Sequence, residues 1–258
     1  MRTRVLTALA GIPLVVAIVV LDSVWLFSSF IGILTLIALH EYFRMAFPAH
    51  GWARLTGITA GMLLSATLVV PGFSGLLPVT VAGLCVVFTF TGGPVEERYR
   101  RLGLALAGVL YLGYLFPHFA VLYRSGHEWV LWLLIAVFTA DSAGYFAGVA
   151  LGRRKLYPSV SPGKTVEGSV AATVAGVAAG WLSGWWLLSL PPVPVLCLSL
   201  AVVVAAQVGD LFESLIKRGF AVKDAGGILP GHGGLMDRLD SLIFPGVLST
   251  CFLRFVSS

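Results

Sequence analysis

The chain has 258 residues, of which 58% are hydrophobic and only 11% charged, with a mean hydropathy of +0.94. That balance excludes a soluble globular domain and indicates a polytopic membrane protein. The net charge of +5 suits cytoplasmic loops beside anionic lipid, and equally suits anionic substrates.

In chain order, the first 23 residues carry a basic end and an apolar run. They imitate a secretory signal but offer no convincing small-x-small cleavage site, so an uncleaved first helix is expected. Runs of about 20 apolar residues predict nine spans, near 5–21, 24–43, 55–70, 76–92, 102–123, 129–151, 168–190, 193–216 and 239–256. The third and fourth runs are short and interrupted by Gly and Pro, which leaves eight spans or a re-entrant pair open. With a cytoplasmic N-terminus, 15 of the 17 Lys and Arg fall on cytoplasmic segments and only Arg124 and Arg254 on the far side, a bias that selects nine spans with the N-terminus in. The expected fold is therefore an all-α bundle: N-terminal spans over residues 1–128 and a region bearing the chemistry over 129–258. His40-Glu41-Tyr42 and Arg44 close the second span and read as a solvated helix end. Residues 94–101, PVEERYRR, read as a charged connector. Cys85, Cys197 and Cys251 lie in apolar runs without metal-ligand spacing and read as packing residues.

Polar chemistry begins at Asp141, a carboxylate inside an apolar helix and therefore a functional candidate, its alternative being a cap or an ion pair within the bundle. The next loop, Ser161 to Ser169 (SPGKTVEGS), combines backbone N–H groups, hydroxyls and one ammonium in a phosphate-binding turn, without the spaced glycines of a P-loop. Asp210 to Asp240 then carries nine of the chain's 29 charged residues. Asp210, Glu213, Ser214 and Lys217 stand at i, i+3, i+4 and i+7 and share a helix face. DAGGILPGHGG must be a loop, and LMDRLDS restarts a helix with Asp237, Asp240 and Ser241 on one face. Two polar faces flanking a glycine loop suit a polyphosphate and a metal ion.

Ser214-x-x-Lys217-Arg218, Lys223-Asp224 and His232-Gly233-Gly234-x-x-Asp237-Arg238-x-Asp240 closely resemble the signature of phosphatidate cytidylyltransferases. Asp141 with Tyr145-Phe146, and Ser161-Pro162-x-Lys164-Thr165-x-Glu167-Gly168, resemble upstream motifs of the same family. The resemblance is concentrated in residues 138–241. It implies an integral membrane enzyme that joins CTP and phosphatidic acid, giving CDP-diacylglycerol and pyrophosphate with Mg²⁺. The site would face the cytoplasm from the cell's plasma or inner membrane, among membrane lipids, with no nucleic-acid partner; a homodimer is an ordinary association for such a bundle.

For that reaction Asp210 and Asp237 are the expected Mg²⁺ ligands, with Glu213 and Asp240 beside them for the same ion or a second one. Lys164, Lys217, Arg218, Lys223 and Arg238 are expected to clamp phosphates. Ser161, Thr165, Ser214, Gly233 and Gly234 would line the substrates, and Asp141 and Asp224 complete the acidic set. His232 has little to do as a general base, because the lipid phosphate is already ionised; a phosphate donor or loop-ordering role fits better. Two other readings stand beside this one: a CTP-dependent polyprenol or dolichol kinase, and an ion-coupled transporter.

Overall fold

The computed structural model describes residues 11, 13–70, 75–228 and 233–257. Its helices are α1 (Val24–Ala46), α2 (Gly51–Val69), α3 (Leu76–Phe90), α4 (Val95–Gly108), α5 (His118–Arg124), α6 (His127–Leu151), α7 (Val166–Leu187), α8 (Pro192–Gly219) and α9 (Met236–Ser257). A π-helical stretch, Val109–Leu115, follows α4, and a two-stranded antiparallel hairpin, β1 (Lys155–Tyr157) and β2 (Ser161–Thr165), separates α6 from α7. Among the described residues seven helices are long and apolar enough to cross a membrane, one of them running from Val95 to Arg124. The protein is thus a predominantly helical, polytopic membrane bundle. The fourth expected span is the shorter helix α3, and residues 5–10 and 12 of the first lie outside the described residues.

Residues 94–101 are not a connector. Apart from Pro94 they form the first turns of α4, where Glu96 and Glu97 stand at the positive end of the helix dipole, and Arg101 reaches back to pair with Glu97 and to His50 across the bundle. The loop expected from Ser161 is likewise partly a strand, with Lys155 opposite Thr165 and Tyr157 opposite Ser161. Thr165 ends that strand and caps α7, its hydroxyl accepting the Gly168 N–H at 3.1 Å.

Packing explains the spacing of small residues along α7. Gly168, Ala172, Gly176, Gly180 and Gly184 recur every fourth position and are the buried residues of this helix. A Cβ on Gly176 would lie 2.7 Å from Ala140 Cβ and 2.8 Å from Val203 Cγ2, so α7 fits against α6 and α8 only through glycine. The close approach lets Trp132 Nε1 donate to the Gly180 carbonyl at 2.7 Å. Such stripes suit helices inside lipid, where packing rather than water drives association. The main core joins α1, α2, the π-helical stretch, α5, α6, α8 and α9 around Phe27, Leu39, Phe43, Leu112 and Trp132. Outward faces carry large exposed apolar side chains, Val79, Phe90, Val174 and Trp186 among them, as a lipid-facing surface requires.

One end of the bundle gathers the C-terminal ends of α1, α6 and α8 with the N-terminal ends of α7 and α9. The other end is tied by Tyr123 Oη donating to Val19 O at 3.0 Å and by Arg124 donating to Val69 O.

Candidate active site at one end of the bundle

The site is assembled around Lys217, one turn after Glu213 on α8. Its Nζ lies 2.5 Å from Glu213 Oε2 and 2.6 Å from Asp237 Oδ1, while its side chain is 13% exposed and that of Glu213 is fully buried. One ammonium thus bridges the last turns of α8 and the first turn of α9. Burial of these charges is tolerable only because they face each other. Both carboxylate oxygens of Glu213 are buried without a hydrogen-bond partner among the described residues, Oε2 being held by the ion pair.

Asp237 is also held by two backbone amides. Gly234 N donates to its Oδ2 at 2.8 Å, and Ala225 N donates to Oδ2 at 3.0 Å and to Oδ1 at 3.3 Å. This carboxylate therefore folds the glycine loop back onto the start of α9. Gly233, at φ +79°, occupies the left-handed region that glycine accepts without penalty, and a Cβ there would meet Asp237 Oδ2 at 3.0 Å.

A second ion pair carries the hairpin to α8: Lys164 Nζ lies 2.5 Å from Asp210 Oδ2. Glu167, on the first turn of α7, fixes the other side of the hairpin by accepting Arg153 N at 3.0 Å and Arg154 N at 3.2 Å on Oε2. From α6, Asp141 accepts the Ser241 hydroxyl at 2.9 Å. Asp141 is exposed on α6, and the hydroxyl of Ser241 supplies it with a hydrogen bond from α9. Asp240, half-buried, is within electrostatic reach of Asp210, Asp141 and Lys217.

Eight of the expected residues are therefore brought together at this end: Asp141, Lys164, Asp210, Glu213, Lys217, Gly234, Asp237 and Asp240, from α6, β2, α8 and α9 and the loop before α9. Ser161 begins β2 and Ser214 is half-buried on α8. Lys223, Asp224 and Arg238 are exposed, with Asp224 lining a cavity of about 510 Å³ together with His40, Glu41, Arg44 and Phe220. Arg218 ties loops together, Nε donating to Val160 O and Nη1 to Val222 O, both at 3.3 Å. Thr165 spends its hydroxyl as a helix cap, which leaves it a scaffold for Lys164 rather than a ligand group. His232 lies outside the described residues.

Two expectations change. Asp210, Glu213 and Asp237 do not converge as one ligand set; among the described residues no three Asp, Glu, His or Cys side chains do. Lys217 holds Glu213 and Asp237, and Lys164 holds Asp210. Glu41, read as solvated, is 2% exposed and accepts Leu235 N at 3.0 Å and Met236 N at 2.9 Å. Only the unusual position of an acid at the end of an apolar helix hinted at this, because its partners lie 194 and 195 residues away.

Comparison with known proteins points the same way. The model of the Cytidylyltransferase family matches residues 2–256. Phosphatidate cytidylyltransferase of Bacillus subtilis is 30% identical over 95% of this chain and 94% of its own length. That of Synechocystis is 31% identical over 97% and 95%, and that of Pseudomonas aeruginosa 35% identical over 94% and 93%.

Proposed function

Because the chain belongs to the cytidylyltransferase family, matched from residue 2 to residue 256, we infer that it is a membrane-embedded nucleotidyltransferase joining CTP to phosphatidic acid. The products are CDP-diacylglycerol and pyrophosphate, which places the chain in phospholipid biosynthesis. The observation that carries this reading is Lys217, shared between Glu213 and Asp237 inside the motif stretch and beside a glycine loop.

In the reaction a phosphate oxygen of the lipid attacks the α-phosphorus of CTP, one P–O bond forms, and the bond to the β-phosphate breaks as pyrophosphate leaves. Both reactants are anions, so the first task of the site is to offset their repulsion and hold them in line. An ammonium has three donors. Lys217 donates one of them to Asp237 and is ion-paired with Glu213, and Lys164 is ion-paired with Asp210, so each keeps donors for phosphate oxygens while its carboxylate partners fix its position. Lys223 and Arg238, exposed at the same end, supply further positive charge, and Arg218 braces the loops that carry them.

The donor set also suits Mg²⁺, which prefers a few carboxylates with phosphate oxygens and water. Asp210, Asp240 and Asp141 act on one another electrostatically with Lys164 among them, and Glu213 Oε1 is an unpartnered buried oxygen. We place the cation at Asp210 and Asp240, where it would supply charge neutralisation for the triphosphate. Asp237 is better employed in holding Lys217 and the loop.

The site end of the bundle faces the cytoplasm in this reading, on the cell membrane. Support comes from the helix connectivity, which carries Arg44, Arg54, Arg98, Arg153, Lys164 and Lys217 to one end and Arg124 and Arg254 to the other.

The test is an assay of purified protein in detergent and lipid with phosphatidic acid, labelled CTP and Mg²⁺, following pyrophosphate and lipid-linked cytidine together, with an EDTA control. Equal yields of both products that vanish with EDTA are expected. CDP in place of pyrophosphate would overturn the reading.

A further inference from the structure

Glu41 stands outside the motifs that carry the family resemblance, yet it is buried and accepts two backbone amides from the start of α9. Three consecutive amides open α9, and two carboxylates divide them. Gly234 N donates to Asp237, whereas Leu235 N and Met236 N donate to Glu41 at the end of α1. A helix N-terminus is ordinarily capped by a residue of its own first turn; here most of the cap is delivered from another helix across the bundle.

The surroundings of Glu41 leave no slack. A Cβ on Gly226 would lie 2.5 Å from Glu41 Oε1, and one on Gly234 would lie 2.8 Å from Glu41 Oε2 and 2.7 Å from Gly226 N. Gly226 and Gly234 thus both close on one carboxylate, with no room for a side chain at either. On the opposite side the same loop is closed by Asp237 through Ala225 N and Gly234 N. The placement of Asp237, and through it of Lys217, is fixed by a clamp whose other jaw is Glu41.

We propose that Glu41 is a positioning residue for the cytidylyl transfer: by seating the start of α9 and the glycine loop against α1, it sets where Asp237 presents Lys217 to the phosphates. The inference rests on the function argued above. It does not need Glu41 to touch either substrate, and Glu41 supplies no proton and no ligand to the reacting atoms. A displacement of reacting groups by about 1 Å from a remote change costs on the order of 100-fold in rate, so the clamp acts on turnover more than on binding.

The experiment compares the parent protein with Glu41→Gln, Gly226→Ala and, as a packing control, Gly180→Ala in α7. Gln keeps the shape of Glu but turns an amide N–H₂ toward backbone donors. Gly226→Ala leaves the carboxylate intact and forces the loop off it. Steady-state kinetics and hydrogen exchange of the peptide covering residues 225–236 are measured in the same detergent. Glu41→Gln and Gly226→Ala should lower kcat roughly 10- to 100-fold with KM for CTP within about threefold, and both should speed exchange at 234–236. Gly180→Ala should lower the thermal midpoint yet retain kcat and loop protection. Parent-like kcat or unchanged exchange in Glu41→Gln would overturn the proposal, as would an equal fall in kcat for Gly180→Ala at a matched loss of thermal midpoint. If the parent forms no lipid-linked cytidine, it is the function that fails, and the exchange data decide separately whether Glu41 holds the loop.

Discussion

At the scale of the residue, Lys217 concentrates the energetics of the site. Removing it leaves Glu213 fully buried opposite Asp237 with the shared cation gone. Stripping one partner from a buried pair costs about 3–5 kcal/mol, so Lys217→Met should lower the thermal midpoint markedly as well as abolish turnover. Adding Glu213→Gln removes the stranded charge. The double variant should therefore recover most of the stability and none of the activity, a pattern that thermal unfolding and pyrophosphate release would reveal together. Equal stability of the single and double variants would mean that Glu213 does not depend on Lys217. Asp237→Asn tests the other partner. The amide loses its charge toward Lys217 and sets an N–H₂ among the Ala225 and Gly234 donors, and hydrogen bonds to charged groups contribute about 1.5–3 kcal/mol each. Turnover should vanish while the protein still inserts and purifies; activity near the parent level would detach Asp237 from the site. These residues were legible in the sequence because charge stands out in an apolar chain and the i, i+3, i+4, i+7 pattern put Asp210, Glu213, Ser214 and Lys217 on one face. Their pairing was not legible. Whether an acid faces a metal ion or a lysine depends on which helix ends meet, and that is decided by packing far from the motif. Glu41 illustrates the limit, since nothing local separates a solvated acid at a helix end from one that caps a helix nearly 200 residues later.

At the scale of the element, the apolar runs located the long helices well, because length and hydropathy are local properties. Two elements escaped this logic. The start of α4 looks like a connector by charge, yet Arg101 is 8% exposed, held by Glu97 and His50. The hairpin is too short to declare itself by alternation, and its strand character comes from pairing with residues 155–157. The small-residue stripe of α7 lay in plain view at intervals of four, but its meaning needed the partner helices. Its consequence is measurable. At Gly176 a methyl group would press on Ala140, on Val203 and on the Ala136 carbonyl at 3.1 Å, and overpacking of this kind costs about 1–3 kcal/mol. Gly176→Ala should therefore lower the thermal midpoint, and Gly163→Ala should not, because nothing lies within 4 Å of a Cβ there. Equal midpoints would show that α6, α7 and α8 relax freely around the stripe.

At the scale of the whole molecule, the arrangement is polarised. The linked carboxylates and lysines occupy one end, and that end also collects nearly all of the positive charge that the helix connectivity assigns to loops. Positive charge is retained on the cytoplasmic side during insertion, so the proposed orientation, with this end in the cytoplasm, is also the one that would meet CTP. The diacyl chains can then remain in the bilayer while the lipid phosphate meets Lys164 and Lys217 at the interface. Orientation is testable without any assay of catalysis. With Cys85, Cys197 and Cys251 replaced by serine, a single cysteine is placed either at Gly163 in β2 or at Ser125, between α5 and α6, both exposed. A membrane-impermeant maleimide applied to right-side-out spheroplasts should label Ser125→Cys and spare Gly163→Cys, and permeabilisation should make both reactive. The opposite pattern would put the lysines on the face that CTP does not reach, and labelling of both positions before permeabilisation would deny that α6 crosses the membrane between them.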